Sequence, residues 1–462
     1  FTGLSSEIDT TTETGSDTDF AVTRYEYNYL NQMEKMTDPL LKEIQNEYDL
    51  TGNLLQQTDR MNGTITYDYN GLGKLLNKKV ERDGETQEVS YTYDILGNRR
   101  AMTDENGLSE YTYDDLSRLI TETNQDGITK EYTYDAANNR KNFILKQNDV
   151  EKQNLSYTYD KLNRLHELKE DGSIVATHLY DYNGNRESIT YANGNATEYQ
   201  YNYGNQIKTL TNKNGISLVS EYDYTYYLDG NQESKTGNLG TTSYTYDGLG
   251  RLETTLKSGV TTTYSYDDYN NRETMTITGE PTTSYGYDKN NRLLTETKVI
   301  GDIIEVTRYG YDNNGNQLWK AKETIEPSNG QGASFKTYVA EESNEEDIEI
   351  YEYDGFNQLK KAIIGDKTIT YSYNGDGLRT TKSSGDATTT HIWDSSNITV
   401  ELDSTGNVLA NYIRGINLIA SDIEGTRSYY LYNAHGDVIQ LTGTDGSVIK
   451  SYAYDAFGNE KD

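Results

Sequence analysis

Acidic and basic side chains recur at a regular spacing along this 462-residue sequence, which makes them the first candidates for chemistry. A carboxylate beside a guanidinium could transfer a proton or bind a charged ligand. The same pair recurs in many copies, however, and turn-forming residues separate its two members each time. We therefore interpret each pair as an ion pair that braces a hairpin turn, worth about 0–1 kcal/mol at an exposed site. The pairs are Asp94 with Arg99, Asp114 with Arg118, Asp135 with Arg140, Asp160 with Arg164, Asp247 with Arg251, Asp267 with Arg272, and Asp288 with Arg292.

The sequence contains no complete metal-binding motif and no G-x-S-x-G element, and it leaves a Ser-His-Asp triad open. Its four histidines, His166, His178, His391 and His435, are scattered without the spacing of a zinc site. There are no cysteines, which excludes disulfides and thiolate ligands. The Asp-rich turns at 312–316 and 374–377 lack the closing glutamate of an EF-hand. We predict no catalytic residue, no metal site and no cofactor, and therefore a protein that is not an enzyme.

Composition restricts the partners. The formal net charge is −32, and an acidic surface repels nucleic acid and anionic lipid. No apolar run approaches the roughly 18 residues that span a bilayer, so we expect no membrane insertion. The sequence begins with a polar segment that lacks an initial methionine, and we interpret the chain as part of a longer protein.

The elements that must position the charged pairs are repeats rich in tyrosine, of which the chain has 44. The pattern Tyr-x-Tyr followed by Asp or Asn recurs at intervals of about 19–25 residues. Its second aromatic residue falls at Tyr27, Tyr69, Tyr93, Tyr113, Tyr134, Tyr159, Tyr182, Tyr201, Tyr246, Tyr266, Tyr287, Tyr311, Tyr353, Tyr373, Tyr432 and Tyr454.

One repeat illustrates the predicted secondary structure. Tyr244 and Tyr246 are two residues apart, so in a strand they share one face. Asp247 begins a turn, and the Thr-rich segment after Arg251 favours a second strand. Each repeat therefore predicts one hairpin, and the absence of a 3.6-residue apolar period predicts almost no helix. We expect the tyrosine rings of successive repeats to stack on one another, as they do in aromatic pairs.

The repeated Y-x-Y-D-x-x-G-R-L pattern resembles the YD repeat of Rhs proteins, which is similar to repeats in teneurins and in the C component of Tc toxins. The resemblance implies an all-β fold: tandem β-hairpin YD repeats that coil into a spiral hollow β-shell with almost no helix. It also implies that the structural residues of the repeats include Tyr91, Tyr93, Asp94, Arg99, Tyr111, Tyr113, Asp114, Arg118, Tyr244, Tyr246, Asp247 and Arg251.

The C-terminal part resembles the Rhs-associated core that follows such repeats. The resemblance implies a division into a polar lead-in or partial repeat at 1–20, a YD-repeat array at 21–411, and a truncated core-like segment at 412–462. Within the array, a decayed or elaborated repeat is expected near 320–350. The residues that carry the core motif are Tyr432, Asn433, His435, Gly436, Asp437, Tyr454, Asp455 and Gly458.

The family resemblance implies a non-enzymatic shell of a secreted or cell-surface bacterial protein, with a Gram-positive host favoured by the NAHGDV form of the motif. Its expected partner is its own C-terminal effector domain or a surface receptor. An alternative is an adhesin or fibre-forming scaffold for cell–cell or glycan contact. A self-cleaving aspartyl core is the least favoured, because the Asp-Pro element of that core is absent here and the chain's Asp-Pro lies at Asp38-Pro39 in an early repeat.

Overall fold

The computed structural model describes residues 20–82, 84–325 and 348–461. Every regular element in these ranges is a β-strand, so the expectation of an all-β chain of hairpins is confirmed. The lead-in predicted at 1–20 lies outside the described residues except for Phe20, as does most of the decayed repeat expected near 320–350. The division at residue 411 stays a prediction.

The strands are short and follow one another closely. The first twenty are β1 Arg24–Tyr27, β2 Met33–Thr37, β3 Glu43–Tyr48, β4 Leu54–Thr58, β5 Thr64–Tyr69, β6 Leu75–Arg82, β7 Glu85–Tyr93, β8 Arg99–Asp104, β9 Gly107–Tyr113, β10 Leu119–Asn124, β11 Ile128–Tyr134, β12 Arg140–Gln147, β13 Val150–Tyr159, β14 Leu165–Glu170, β15 Ser173–Tyr180, β16 Arg186–Tyr191, β17 Asn195–Tyr201, β18 Ile207–Asn214, β19 Ser217–Tyr226 and β20 Gln232–Gly237.

The remaining strands continue in the same way. They are β21 Gly240–Tyr246, β22 Leu252–Lys257, β23 Val260–Tyr266, β24 Arg272–Ile277, β25 Thr283–Tyr287, β26 Leu293–Ile300, β27 Ile303–Tyr311, β28 Gln317–Ile325, β29 Ile348–Tyr353, β30 Leu359–Ile364, β31 Lys367–Tyr373, β32 Arg379–Ser384, β33 Ala387–Asp394, β34 Asn397–Leu402, β35 Val408–Arg414, β36 Leu418–Ile423, β37 Thr426–Tyr432, β38 Val438–Thr442, β39 Val448–Ser451, β40 Ala453–Tyr454 and β41 Glu460–Lys461.

The hairpin of β21 and β22 illustrates the register of a repeat. In β21 and β22, Tyr244 lies opposite Thr255 and Thr245 lies opposite Thr254. The hydroxyls of Thr245 and Thr254 are 2.7 Å apart, so the face opposite the tyrosines carries a threonine pair. A register shift at Tyr246 marks a bulge where the strand enters the turn.

The turn after most tyrosine pairs is built around one carboxylate or amide. The Asp247 carboxylate accepts hydrogen bonds from the backbone N–H groups of Leu249 and Arg251, both at 2.9 Å. The backbone N–H of Gly250 donates to the Asp247 carbonyl at 2.9 Å, and Gly250 has a φ of 77°. Because this position requires a left-handed backbone, glycine or asparagine follows the aspartate by three residues in most repeats.

The described chain divides into two compact units. The first takes its described residues from Phe1–Glu110, Ser265–Thr276 and Glu280–Asp386. In this unit the ribbon of hairpins returns to contact itself: Asn290 donates to the Asp38 carboxylate 252 residues away. The turn at Gly375 lies so close to β7 and β8 that a Cβ there would be 2.4 Å from Val89 and 2.8 Å from Met102. Glycine is therefore required where this later turn docks.

The second unit comprises Tyr111–Tyr264, Ile277–Gly279 and Ala387–Asp462, of which Asp462 is not described. Its ribbon makes a first pass at 111–264 and a second pass from residue 387 onward. Arg140 and Asp394, 254 residues apart, form an ion pair between the passes, and Asn193 donates to the backbone carbonyl of Gly443, 250 residues ahead. The core of the unit packs between the passes and includes Phe143, Leu145, Leu155, Leu168, Leu210, Val400, Leu402, Ile413, Ile419 and Leu431.

Candidate functional site

The predicted ion pairs form wherever arginine follows the turn aspartate by four residues. In the turn at Asp114, the carboxylate accepts a hydrogen bond of 2.7 Å from the Arg118 side chain. This bond lowers the pKa of Asp114, together with the backbone N–H of Arg118. The same geometry occurs at Asp160 with Arg164, Asp247 with Arg251 and Asp288 with Arg292.

The prediction of a brace within one turn is wrong for Arg99 and Arg140. In these repeats asparagine occupies the fourth position after the aspartate, and its side-chain amide donates to the turn carboxylate, as Asn98 does to Asp94 at 2.9 Å. The arginine at the fifth position is then available for a distant partner. Arg99 forms a bidentate ion pair with Asp376 at 2.6 and 2.8 Å. Neither distant partner is evident from local sequence, because it lies more than 250 residues away.

In most repeats the second tyrosine bonds to the repeat before it. The Tyr159 hydroxyl donates to the backbone carbonyl of Arg140 at 2.9 Å, and the Tyr93 hydroxyl donates to that of Leu75 at 2.8 Å. Each of these carbonyls lies at or next to the first residue of the strand that follows the preceding turn. The same hydroxyl-to-carbonyl bond is made by Tyr48, Tyr134, Tyr180, Tyr201, Tyr226, Tyr246, Tyr287, Tyr311, Tyr373, Tyr432 and Tyr454.

These bonds correct the expectation that successive tyrosine rings stack. Tyr227 and Tyr246 do make an edge-on ring contact between neighbouring repeats, with centroids 6.2 Å apart. The more frequent contact is an arginine over a tyrosine ring of the next repeat. The guanidinium of Arg164 lies 4.3 Å from the centroid of Tyr180, and that of Arg118 lies 4.8 Å from Tyr134. An Asp–Arg–Tyr chain therefore connects one turn to the following repeat.

One tyrosine pair was assigned two residues too late by the sequence pattern. Tyr182 was taken as the second aromatic residue of its repeat, but it is fully exposed at the tip of the turn. Tyr180 makes the bond to the preceding repeat instead, at 2.8 Å from the Leu165 carbonyl. The first tyrosine of a pair is generally buried, as are Tyr91, Tyr111, Tyr132, Tyr157, Tyr199, Tyr224 and Tyr264.

The core-like motif contains a turn of the same design. The Asn433 side chain accepts hydrogen bonds from the backbone N–H groups of His435 and Asp437 and donates to the Asp437 carboxylate at 2.7 Å. Gly436 has a φ of 90°. Burial lowers the pKa of His435, although the nearby Asp437 carboxylate acts in the opposite direction. This side-chain arrangement can hold a turn; its role stays a prediction.

The rest of the motif completes the contacts of this turn with its neighbours. The backbone N–H of Ala434 donates to the buried Tyr224 hydroxyl of the first pass at 3.0 Å. Tyr432 and Tyr454 donate to the carbonyls of Leu418 and Val438. Asp455 caps the next turn, where Gly458 has a φ of 84°.

The described residues lack two further features. No cluster of three or more histidine, cysteine, aspartate or glutamate side chains that could hold a metal ion occurs among them. Nor do they form a helix long and apolar enough to cross a membrane.

The antiparallel hairpins, their Asp or Asn turns and the tyrosine bonds between neighbours define a tandem β-hairpin repeat protein. The comparisons specify the family. The teneurin YD-shell model matches residues 241–461, and the RHS repeat model matches residues 48–86. Over these residues the chain is similar to Rhs/YD-repeat proteins.

Curated relatives and solved structures agree with this assignment. A segment is 28% identical over 145 residues to the tRNA3(Ser)-specific nuclease WapA of Bacillus spizizenii and to the tRNA nuclease WapA of Bacillus subtilis strain 168. The match covers 30% of this chain and 5% of each relative. The fold is similar over 95% of this chain to 26% of a chain in the TcdB2-TccC3-TEV crystal structure, with a TM-score of 0.62 at 13% identity. A Photorhabdus luminescens Tc holotoxin pore has a TM-score of 0.60 over the same shares of the two chains, also at 13% identity. The YD-repeat shell fold expected from the resemblance is therefore confirmed.

Proposed function

We propose that this chain is part of the wall of a non-enzymatic YD-repeat shell that encloses or presents a C-terminal effector of the same protein. The observation that supports the proposal is the contact between the two passes of the ribbon in the second unit. Turns of the second pass dock on the first: Lys152 donates to the Gly406 carbonyl at 2.9 Å, and Asn195 donates to that of Gly446 at 3.2 Å. A ribbon that joins to itself pass by pass forms a continuous surface instead of an extended fibre.

The relatives support the effector part of this proposal. The WapA proteins are named as tRNA nucleases, and the segment similar to this chain is 5% of their length. A nuclease activity in such a protein then belongs to residues outside the matched segment. We also propose a secreted or cell-surface location. The Bacillus relatives favour a Gram-positive host.

Protease protection in the full parent chain tests enclosure. One protease recognition sequence is inserted after residue 461, and the control insertion is placed at the exposed turn tip beside Tyr182. The site at Tyr182 should be cut rapidly in the native protein, whereas the downstream site should resist cleavage until urea unfolds the shell. Equal cleavage of both sites under native conditions would refute enclosure.

A second candidate function is adhesion. Its supporting observation is the row of fully exposed apolar side chains at neighbouring turn tips, Tyr182, Tyr203 and Leu228. Such exposed aromatic residues could contact a glycan or another cell. If adhesion is the function, replacing Tyr182 and Tyr203 with alanine should abolish binding to cells or glycans. If enclosure is the function, the same replacements should leave the protection of the effector unchanged.

A further inference from the structure

A cleft in the second unit is lined by strands of both passes. Its volume is about 340 Å³, within the ~300–1,000 Å³ range of small-ligand sites. β13 of the first pass contributes Tyr157 and Tyr159, and β35 of the second pass contributes Tyr412 and Arg414. Since Tyr412 and Arg414 are two residues apart in one strand, their side chains lie on the same face.

The cleft holds a guanidinium that no acidic group of the described chain neutralises. Arg140, on the opposite side, is paired with Asp394 at 2.6 Å. No described carboxylate forms an ion pair with Arg414, and its buried Nε has no hydrogen-bond partner among the described residues. Arg414 is half-buried, and a partly desolvated cation without an acidic partner favours a nearby anion.

The remaining lining groups specify the chemistry of that anion. The Tyr157 and Tyr159 hydroxyls are already engaged with Arg140, the first with its Nη2 and the second with its backbone carbonyl, both at 2.9 Å. The Tyr159 hydroxyl has therefore used its proton, whereas the Tyr157 hydroxyl only accepts; both rings contribute flat apolar walls. The Tyr412 hydroxyl has no hydrogen-bond partner among the described residues and can donate beside Arg414.

We propose that this cleft binds a small ligand that carries a carboxylate beside a flat apolar face, with Arg414 as the anchor and Tyr412 as a second donor. A guanidinium matches a carboxylate with two parallel hydrogen bonds. Two sources share this chemistry: an acidic sugar, whose ring would lie against the tyrosines, and an acidic amino-acid residue of a peptide. The proposal is independent of effector enclosure.

Titration calorimetry with matched probes tests the binding. The acidic probes are D-glucuronate and N-acetyl-L-glutamate amide, and their neutral counterparts are D-glucose and N-acetyl-L-glutamine amide. At least one acidic probe should bind with a Kd on the order of 1 mM. Its affinity should be about tenfold or more higher than that of its neutral counterpart. Preference for glucuronate identifies the sugar as the source, and preference for the glutamate derivative identifies a peptide residue.

Substitutions then locate the site. Arg414→Gln should weaken the binding of the acidic probe about tenfold or more. Arg414→Lys, which keeps the charge but loses the planar guanidinium, should weaken that binding less. The matched control is Arg379→Gln in the first unit, which removes the same charge from an arginine stacked on Tyr371 and should leave binding unchanged. Tyr412→Phe keeps the ring and should weaken binding severalfold even if Arg414→Gln fails to fold.

Three results would each overturn the proposal. The first is that neither acidic probe binds. The second is equal binding of acidic and neutral probes, which would remove the role of the cation. The third is a loss of affinity in Arg379→Gln equal to the loss in a folded variant of Arg414, either Arg414→Gln or Arg414→Lys. That result would indicate a general charge effect.

Discussion

The tyrosine hydroxyl bonds between repeats should contribute measurably to stability, and two adjacent repeats provide a matched test. Tyr180 and Tyr201 donate to the carbonyls of Leu165 and Arg186 at 2.8 and 2.9 Å. Two residues further along each repeat, Tyr182 and Tyr203 are fully exposed. The double variant Tyr180→Phe with Tyr201→Phe removes two bonds and keeps both rings. The control, Tyr182→Phe with Tyr203→Phe, removes two hydroxyls in the same turns without removing such a bond.

The expected magnitude follows from the number of bonds. A hydrogen bond contributes about 0.5–1.5 kcal/mol net, and its loss here leaves a backbone carbonyl without its donor. The two sites belong to neighbouring repeats roughly 10 Å apart, so their effects should nearly add. We therefore expect a loss of about 1–3 kcal/mol in the first variant and a change within about 0.5 kcal/mol in the control.

Urea unfolding followed by circular dichroism measures this difference as a shift of the midpoint. Because a repeat array can unfold in more than one step, hydrogen exchange of the amides in β14 to β18 should accompany it. Exchange should accelerate there in Tyr180→Phe with Tyr201→Phe. Equal midpoints and equal exchange in the two double variants would refute the view that these hydroxyls connect the repeats.

Three further outcomes are expected from the turns, one buried histidine and one close contact. Hydrogen bonds lower the pKa of Asp247, so its stabilising effect is complete above the unfolded pKa of about 4 and is lost as the pH falls through the lower folded pKa. The variant Asp247→Asn should stay folded. Its urea midpoint should fall less steeply below pH 4 than that of the unmodified chain. Burial lowers the pKa of His178 from 6.5 to about 4. The free energy of unfolding should therefore decrease by on the order of 3 kcal/mol as the pH falls from 6.5 to 4. His178→Leu should remove this pH dependence in unfolding measurements across that range. Gly375→Ala should lower the stability measured by thermal unfolding by about 1–3 kcal/mol, because its Cβ would overlap Val89. The control Gly248→Ala, at a glycine with open space around it, should change stability by less than about 0.5 kcal/mol. Equal effects of the two substitutions would contradict the close contact.

Local sequence predicted the hairpins because the signals that form them lie within a few residues. The alternation of Tyr244 and Tyr246 and the Asp247 turn are short-range features, and they determine strand, face and turn together. What could not be predicted depends on residues far away in the chain. Asp376 becomes the partner of Arg99 only because the ribbon returns to the same place 277 residues later.

The assignment of Tyr182 as the second tyrosine of its repeat failed for a different reason. Tyr180, Asp181 and Tyr182 satisfy the same pattern as a true tyrosine pair, so composition alone did not reveal which ring is exposed. The cleft at Arg414 also lacked a sequence signal, because its two sides belong to strands more than 250 residues apart in the chain. An arginine without a nearby carboxylate is ordinary in a sequence and becomes informative only once its surroundings are known.

The position of the arginine after each turn explains how one repeated phrase can serve two purposes. At the fourth position, as in Arg164, the guanidinium pairs with its own turn and lies on the tyrosine of the next repeat. At the fifth position, as in Arg140, asparagine satisfies the turn and the guanidinium joins the other pass. In the repeats of Arg99 and Arg140, this change of one residue therefore leaves the guanidinium able to reach across the ribbon. Both kinds require more than one repeat, since each tyrosine hydroxyl and each bridging arginine finds its partner outside its own hairpin.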